Sequence, residues 1–128
     1  MTMEYTYSCR WNFLLNQPMD TLSYEAAAKQ YRELGTLTIV QSGVRSYLQA
    51  VCEISPSIET AKVYFFDSVG RVGCVYGFSQ MESALFLGEV ITYGYKGQER
   101  TSIADAEEIT IGYFDPNSDV LRLSESVR

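Results

Sequence analysis

Hydrophobic and polar residues alternate along most of this chain, which is the pattern of β-strands. The first example runs from residue 4 to residue 14 and has its aromatic residues on one side. That side comprises Tyr5, Tyr7, Cys9, Trp11 and Phe13. Because successive side chains of a strand point to opposite faces, this period of two predicts a strand with one buried face.

One segment breaks the alternation and predicts a helix over about residues 21–34. Asp20 and Ser23 are suitable caps for its first turn, and residues 24–34 are rich in strong helix formers. Gly35 suits the left-handed position that ends many helices. An apolar stripe recurs at helical spacing along the segment and comprises Tyr24, Ala27, Ala28, Tyr31 and Leu34. We expect this stripe to pack on a sheet.

Strand patterns return after residue 35 and are divided by polar turn residues. They cover residues 36–41, 44–54, 61–67, 71–78, about 84–95, 107–114 and 119–124. A hairpin is predicted around Ser68-Val69-Gly70, and Gly88 is a candidate β-bulge. Residues 79–90 are ambiguous because Ser79 could also cap a helical turn. Short links favour antiparallel neighbours, since parallel strands need a long crossover.

The elements together predict the α+β class in one domain, residues 1–128. We expect one N-terminal helix (about 21–34) packed on a largely antiparallel, curved sheet of about six to seven strands. A chain of 128 residues suits a single domain with its own core. One helix covers only part of such a sheet. The sheet is therefore expected to curl around the helix, to close partly into a barrel, or to pair with a second copy.

The charge balance bears on the possible partners. Sixteen acidic residues against ten basic ones give a formal net charge of −6. This balance argues against nucleic acid and against an anionic membrane surface, because both are bound mainly through Lys and Arg. It permits attraction to a basic protein, although a moderate negative charge also simply keeps small proteins in solution.

The location is expected to be cytoplasmic. The first residues lack the basic and apolar regions of a secretory signal, and the apolar run over residues 84–91 is too short to span a bilayer. Cys9, Cys52 and Cys74 are odd in number and far apart in the sequence. They are expected to be buried, reduced thiols rather than a disulfide or a metal site.

Motifs that carry chemistry are scarce. The chain contains no histidine, the side chain that most often transfers protons near neutral pH. Residues 115–119 match the opening of a calcium loop but lack its glycine and its final glutamate, so a turn is favoured. Residues 70–73 have a G-x-x-G pattern within the predicted hairpin. We expect no cofactor, no metal and no enzymatic activity. Four carboxylates near apolar segments are candidates for a general acid or base: Glu53, Asp67, Glu82 and Glu89.

The strongest candidate site is the acidic final third of the chain. Residues 101–128 hold six acidic residues and two arginines, which gives −4 of the total charge of −6. Tyrosine, which is enriched at interfaces and in strands alike, occurs ten times in the chain. The predicted partner-binding residues are Glu99, Asp105, Glu107, Glu108, Tyr113, Asp115 and Asp119.

The main functional hypothesis is a non-enzymatic module that binds a basic protein partner, such as a toxin nuclease, through an acidic, aromatic-edged surface. In general character the chain is similar to inhibitor and immunity proteins. One alternative is a small-molecule-binding protein or a carboxylate-based enzyme of a curled-sheet fold, hot-dog-like or cone-like. Another is an oligomeric structural or chaperone-like subunit that pairs through strand edges or apolar faces.

Overall fold

The computed structural model describes residues 3–33, 35–43, 48–115 and 120–127, the last range for its backbone alone. Within these ranges one α-helix, α1, spans Tyr24–Arg32, and two short 3-10 turns cover Pro56–Ile58 and Ile103–Asp105. The strands are β1 (Glu4–Asn12), β2 (Gln17–Leu22), β3 (Leu37–Ser42), β4 (Leu48–Ser55), β5 (Thr60–Phe66), β6 (Val72–Met81), β7 (Ala84–Gly94), β8 (Glu108–Phe114) and β9 (Val120–Val127).

All nine strands form one antiparallel sheet in the order β2-β1-β3-β4-β5-β6-β7-β8-β9. The α+β class and the antiparallel pairing are confirmed, and the prediction of six to seven strands was too low. The strand patterns in the sequence correspond to β1 and to β3 through β9. The strand without a predicted counterpart is β2, whose last two residues were assigned to the start of the helix. It contains Pro18 and is exposed over residues 17–21, so it lacks the apolar alternation of the other strands. An edge position tolerates both features.

Two local predictions in the middle of the sheet are confirmed. Residues 67–71 connect β5 to β6 as a hairpin. The β6–β7 pairing passes from Gly77↔Glu89 to Phe78↔Leu87, which leaves Gly88 as the extra residue of a bulge. The helical alternative for residues 79–90 was wrong. The chain there turns at Glu82, whose backbone is left-handed with φ of 57°.

The helix forms as predicted but is shorter than residues 21–34. The helix begins later than predicted because residues 21 and 22 belong to β2. Ser23 caps it by accepting a hydrogen bond from the amide of Ala26 at 3.1 Å. Gly35 is not left-handed, contrary to the prediction. Of the predicted stripe, Ala27 is buried, whereas Tyr24 and Tyr31 are exposed; Leu34 lies outside the described residues. No helix in the described ranges is long and apolar enough to cross a membrane.

The sheet is strongly curled, and this curvature positions the core. In the sheet order β3 and β4 separate β1 from β5, a span of about 14 Å at ordinary strand spacing. Nevertheless Trp11 of β1 meets Phe66 of β5 with ring centroids 6.0 Å apart, and Phe13 meets Tyr64 at 4.4 Å. The end of β1 therefore folds over the sheet. Trp11 forms the core there with Val40 and Val51, which is fully buried.

Candidate functional site

The structure divides the predicted partner-binding residues into two groups. Glu99, Asp105 and Glu107 lie between β7 and β8, and Glu108 begins β8. Tyr113 and Asp115 lie at the other end of β8, about 17 Å and about 23 Å from Glu108 at the usual rise per residue. Asp119 lies outside the described residues. The chain thus brings four of the seven residues together. We call residues 95–108 the acidic loop.

A buried arginine holds the first half of the acidic loop. Arg71, only 7% exposed, donates to the carbonyl oxygen of Gly97 at 2.9 Å and to that of Glu99 at 3.5 Å. Its guanidinium lies 4.7 Å from the ring centroid of Tyr95. Because backbone carbonyls at both ends of residues 97–99 accept from one fixed guanidinium, this turn of the loop is held in place.

Asp67 in turn fixes Arg71. One carboxylate oxygen accepts from the Arg71 side chain at 3.0 Å, and the other accepts from the amides of Val69 and Arg71 at 2.9 Å each. Burial alone would raise the pKa of Asp67, but these hydrogen bonds and the Arg71 charge outweigh it and hold the pKa below its usual value. Asp67, predicted as a candidate acid or base, is therefore an ionised structural group.

Other hydrogen bonds hold the two ends of the acidic loop and its 3-10 turn. The Tyr95 hydroxyl donates to the carbonyl of Val72 at 2.6 Å, and the amide of Glu107 donates to the carbonyl of Gly94 at 2.8 Å. Ser102 accepts from the amide of Ala104 and caps the 3-10 turn that carries Asp105. Both ends of the loop and its short turn are thus fixed.

The turn between β1 and β2 closes this end of the molecule. The Asn16 side-chain amide donates to the carbonyls of Gly70 and Thr101 at 3.4 Å each, and Arg100 donates to the Asn16 carbonyl at 3.1 Å. The β1–β2 turn, the β5–β6 turn and the acidic loop, which are distant in sequence, therefore meet at one polar cluster. We could not predict this cluster from the sequence, because Asn16 and Arg100 look like ordinary turn residues.

The carboxylates of the acidic loop remain available at its surface. Glu99, Asp105 and Glu108 are exposed, and Glu107 is half-buried. Glu107 and Glu108 line a shallow cleft of about 320 Å³ together with Gly94, Tyr95 and Lys96. Ionised carboxylates accept strong hydrogen bonds from ammonium and guanidinium groups. The arrangement suits recognition of positive charge.

A second site lies where the end of β1 folds over the sheet. This open cleft of about 570 Å³ is lined by Cys9, Arg10, Trp11, Phe13, Gln30, Gly35, Thr36 and Glu53. We call it the aromatic cleft. Gln30 of α1 accepts from the Cys9 thiol at 3.4 Å and donates to the carbonyl of Thr36. These bonds attach the helix to one side of the cleft.

Glu53 is the carboxylate of the aromatic cleft. Burial raises the pKa of Glu53, although a hydrogen bond with Tyr64 and the charge of Lys62 oppose the rise. Burial, and then the charge of Glu53, raise the pKa of Tyr64 in turn. The Tyr64 phenol therefore stays protonated and is the donor in its hydrogen bond with Glu53.

The remaining candidates for acid and base chemistry do not converge with Glu53. Glu89 lies on the same cross-strand row as Glu53, but Lys62 and Gly77 stand between them. That separation is about 14 Å, which exceeds the distance between paired catalytic carboxylates. Glu82 lies at the β6–β7 turn. The described residues contain no group of three or more cysteines and carboxylates that could hold a metal ion.

Two further predictions from the sequence concern a calcium-loop motif and the three cysteines. Residues 116–119 lie outside the described residues, so that prediction stays untested. Cys9, Cys52 and Cys74 are free and partly buried. Burial raises the pKa of both the Cys52 and the Cys74 thiol, which keeps these two thiols protonated and poorly nucleophilic.

Comparison with known proteins finds no relative from which a function could be read. No family model, no curated protein and no solved structure matches this chain. The acidic loop and the aromatic cleft are therefore the features of the molecule that indicate a function.

Proposed function

We propose that this protein is a non-enzymatic binding module that recognises a basic protein partner through the acidic loop. The observation that carries the proposal is the clamp of Arg71 on the loop backbone, which holds the loop from inside while its carboxylates face outward. Loops that are ordered before binding lose less conformational entropy in the complex. A fixed acidic loop therefore suits tight, specific binding.

The charge of the acidic loop supports the same partner chemistry. Its residues 95–108 include four acidic and two basic residues, a net charge of −2. One of the two bases, Arg100, is engaged with the carbonyl of Asn16. Complementary charge speeds the encounter of two proteins and fixes their register. An inhibitor or immunity protein for a basic toxin domain would use a surface of this kind.

The test is affinity capture from the native host's lysate at low and high salt, with mass spectrometry of the retained proteins. The chain is used with Glu107→Lys and Glu108→Lys together. The matched control carries Glu25→Lys on α1 and Glu33→Lys just after it, which makes the same change in net charge at exposed positions elsewhere. We expect the unchanged chain and the control to retain one basic protein at low salt, and the loop variant to lose it.

Two results would contradict the proposal. Retention of the same basic protein by the loop variant would show that the acidic loop is not the contact surface. Equal loss by both variants would show that net charge alone, rather than this loop, drives the association.

We also place the protein in the cytoplasm, which the three free thiols support.

A further inference from the structure

The aromatic cleft is lined by one basic and one acidic side chain, next to Trp11 and Phe13, and these two charged groups do not form an ion pair with each other. Arg10 and Glu53 both line the cleft. The ion pairs within the described residues join Asp67 to Arg71 and Lys29 to Glu33, so Arg10 and Glu53 do not neutralise each other directly. Glu53 also lies opposite Lys62 in the β4–β5 ladder, and Arg10 is exposed at the edge of the cleft. A ligand with one positive and one negative group could contact both Arg10 and Glu53.

We propose that the aromatic cleft binds a small zwitterion, a free α-amino acid with an apolar side chain. Its ammonium group pairs with Glu53, its carboxylate pairs with Arg10, and its side chain packs against Trp11 and Phe13. The cleft has a volume of about 570 Å³, within the range of about 300–1,000 Å³ that small-ligand sites occupy. A free amino acid carries both charges on one carbon, whereas a residue within a peptide carries neither.

The acceptor for the ammonium group is already in place. Tyr64 is hydrogen-bonded to Glu53, and the Phe13 ring lies on Tyr64 with centroids 4.4 Å apart. Phe13, which follows β1, and Glu53 and Tyr64, from β4 and β5, thus contact one another in a chain. A carboxylate has several lone pairs, so the bond from Tyr64 leaves capacity for an ammonium donor. Aromatic rings beside that carboxylate add a cation–π contribution.

Trp11 makes the proposal directly measurable. It is the one tryptophan of the chain, and it is 7% exposed. Its indole N–H is buried and has no hydrogen-bond partner among the described residues. The fluorescence of the protein and its single indole N–H resonance therefore both report on the wall of this cleft.

The experiment titrates the full chain with L-phenylalanine and with three analogues that lack one or both charges. Phenethylamine lacks the carboxylate, 3-phenylpropanoate lacks the ammonium group, and N-acetyl-L-phenylalanine amide lacks both. We expect L-phenylalanine to shift the Trp11 emission and indole resonance saturably. Each analogue should bind at least about tenfold more weakly, because each leaves a charged hydrogen bond unmade.

Single substitutions identify the two charged contacts. Glu53→Gln and Arg10→Gln should each weaken L-phenylalanine binding about tenfold. The matched controls are Glu25→Gln and Arg32→Gln, which remove the same charges from exposed positions that do not line the cleft. We expect these controls to bind as the unchanged chain does.

Several outcomes would overturn the zwitterion site. Phenethylamine binding as tightly as L-phenylalanine, or Arg10→Gln without effect, would show that no carboxylate is recognised. A Trp11 signal that stays constant up to tens of millimolar L-phenylalanine would show that the cleft takes no amino acid. None of these results bears on the acidic loop, because the two sites share no residue and the titration requires no protein partner.

Discussion

The acidic loop and the aromatic cleft are held in place by different forces. Hydrogen bonds and one ion pair around Arg71 fix the loop, whereas packing of aromatic rings brought together by the curl of the sheet fixes the cleft. Polar contacts are directional and fail when one partner is removed, while packing is spread over many atoms. The shape of the acidic loop therefore depends on a few individual hydrogen-bonding groups, whereas the shape of the aromatic cleft depends on packing contacts shared by many atoms.

The largest expected effect tests the packing side of this contrast. Trp11→Ala removes a large buried ring that packs on Val40, Val51 and Phe66. We expect a loss of about 3–5 kcal/mol in the free energy of unfolding, measured by urea denaturation with circular dichroism. A loss below about 1 kcal/mol would mean that the end of β1 does not contribute to the core.

The next effect tests the polar side. Arg71→Met keeps much of the side-chain volume but removes the guanidinium donor to one Asp67 oxygen and to two loop carbonyls. We expect a loss of about 2–4 kcal/mol. The matched control is Lys29→Met, which breaks the exposed pair with Glu33 at 4.0 Å and should change stability by less than about 0.5 kcal/mol. Equal effects from the two variants would contradict the central role of Arg71.

A smaller effect separates the ring of Tyr95 from its hydroxyl. Tyr95→Phe keeps the ring beside Arg71 but removes the donor to the carbonyl of Val72. We expect a loss of about 1 kcal/mol, visible as a lower midpoint in thermal denaturation. Tyr5→Phe is the control, since the Tyr5 hydroxyl is contacted only at the exposed surface, by Gln41. An unchanged midpoint for Tyr95→Phe would show that this bond contributes nothing to the loop.

The smallest effects concern pH, and they have opposite signs at the two sites. The pKa of Asp67 is lowered from its reference value of 3.8, so its contribution to stability is present above that value and is lost as pH falls through the folded pKa. The pKa of Glu53 is raised from 4.5, so its contribution is present below 4.5 and is lost as pH rises through the folded pKa.

Paired substitutions would separate these two responses. Asp67→Asn should flatten the decline of stability on acidification, and Glu53→Gln should flatten the decline as pH rises above 4.5. Denaturation midpoints of the three proteins between about pH 3 and pH 7 measure both slopes. The same slope for both variants would contradict the opposite assignments of Asp67 and Glu53.

The sequence predicted every strand except β2, and it predicted the helix that carries a cap. It was wrong about the buried face of β1, since Tyr5 is exposed and Ser8, on the face predicted to be polar, is fully buried. It missed β2, because an exposed edge strand with Pro18 needs no apolar alternation. It placed Glu99 and Asp105 in a polar loop but did not reveal the clamp, since Arg71 reads as an ordinary residue after a hairpin turn. The aromatic cleft was not predictable either. Trp11, Gln30 and Glu53 come from three separate elements, and only the curl of the sheet brings them together.

The strand order has a consequence for how the chain reaches this structure. From β4 to β9 every strand pairs with the one that precedes it in the chain, so each of these ladders closes over a local connection at a small loss of loop entropy. The bonds of Asn16 to Gly70 and Thr101 join residues 54 and 85 positions apart. Such contacts form slowly because a long stretch of chain must first be ordered. We therefore expect the sheet to assemble hairpin by hairpin and the contacts of Asn16 with Gly70 and Thr101 to form late in folding.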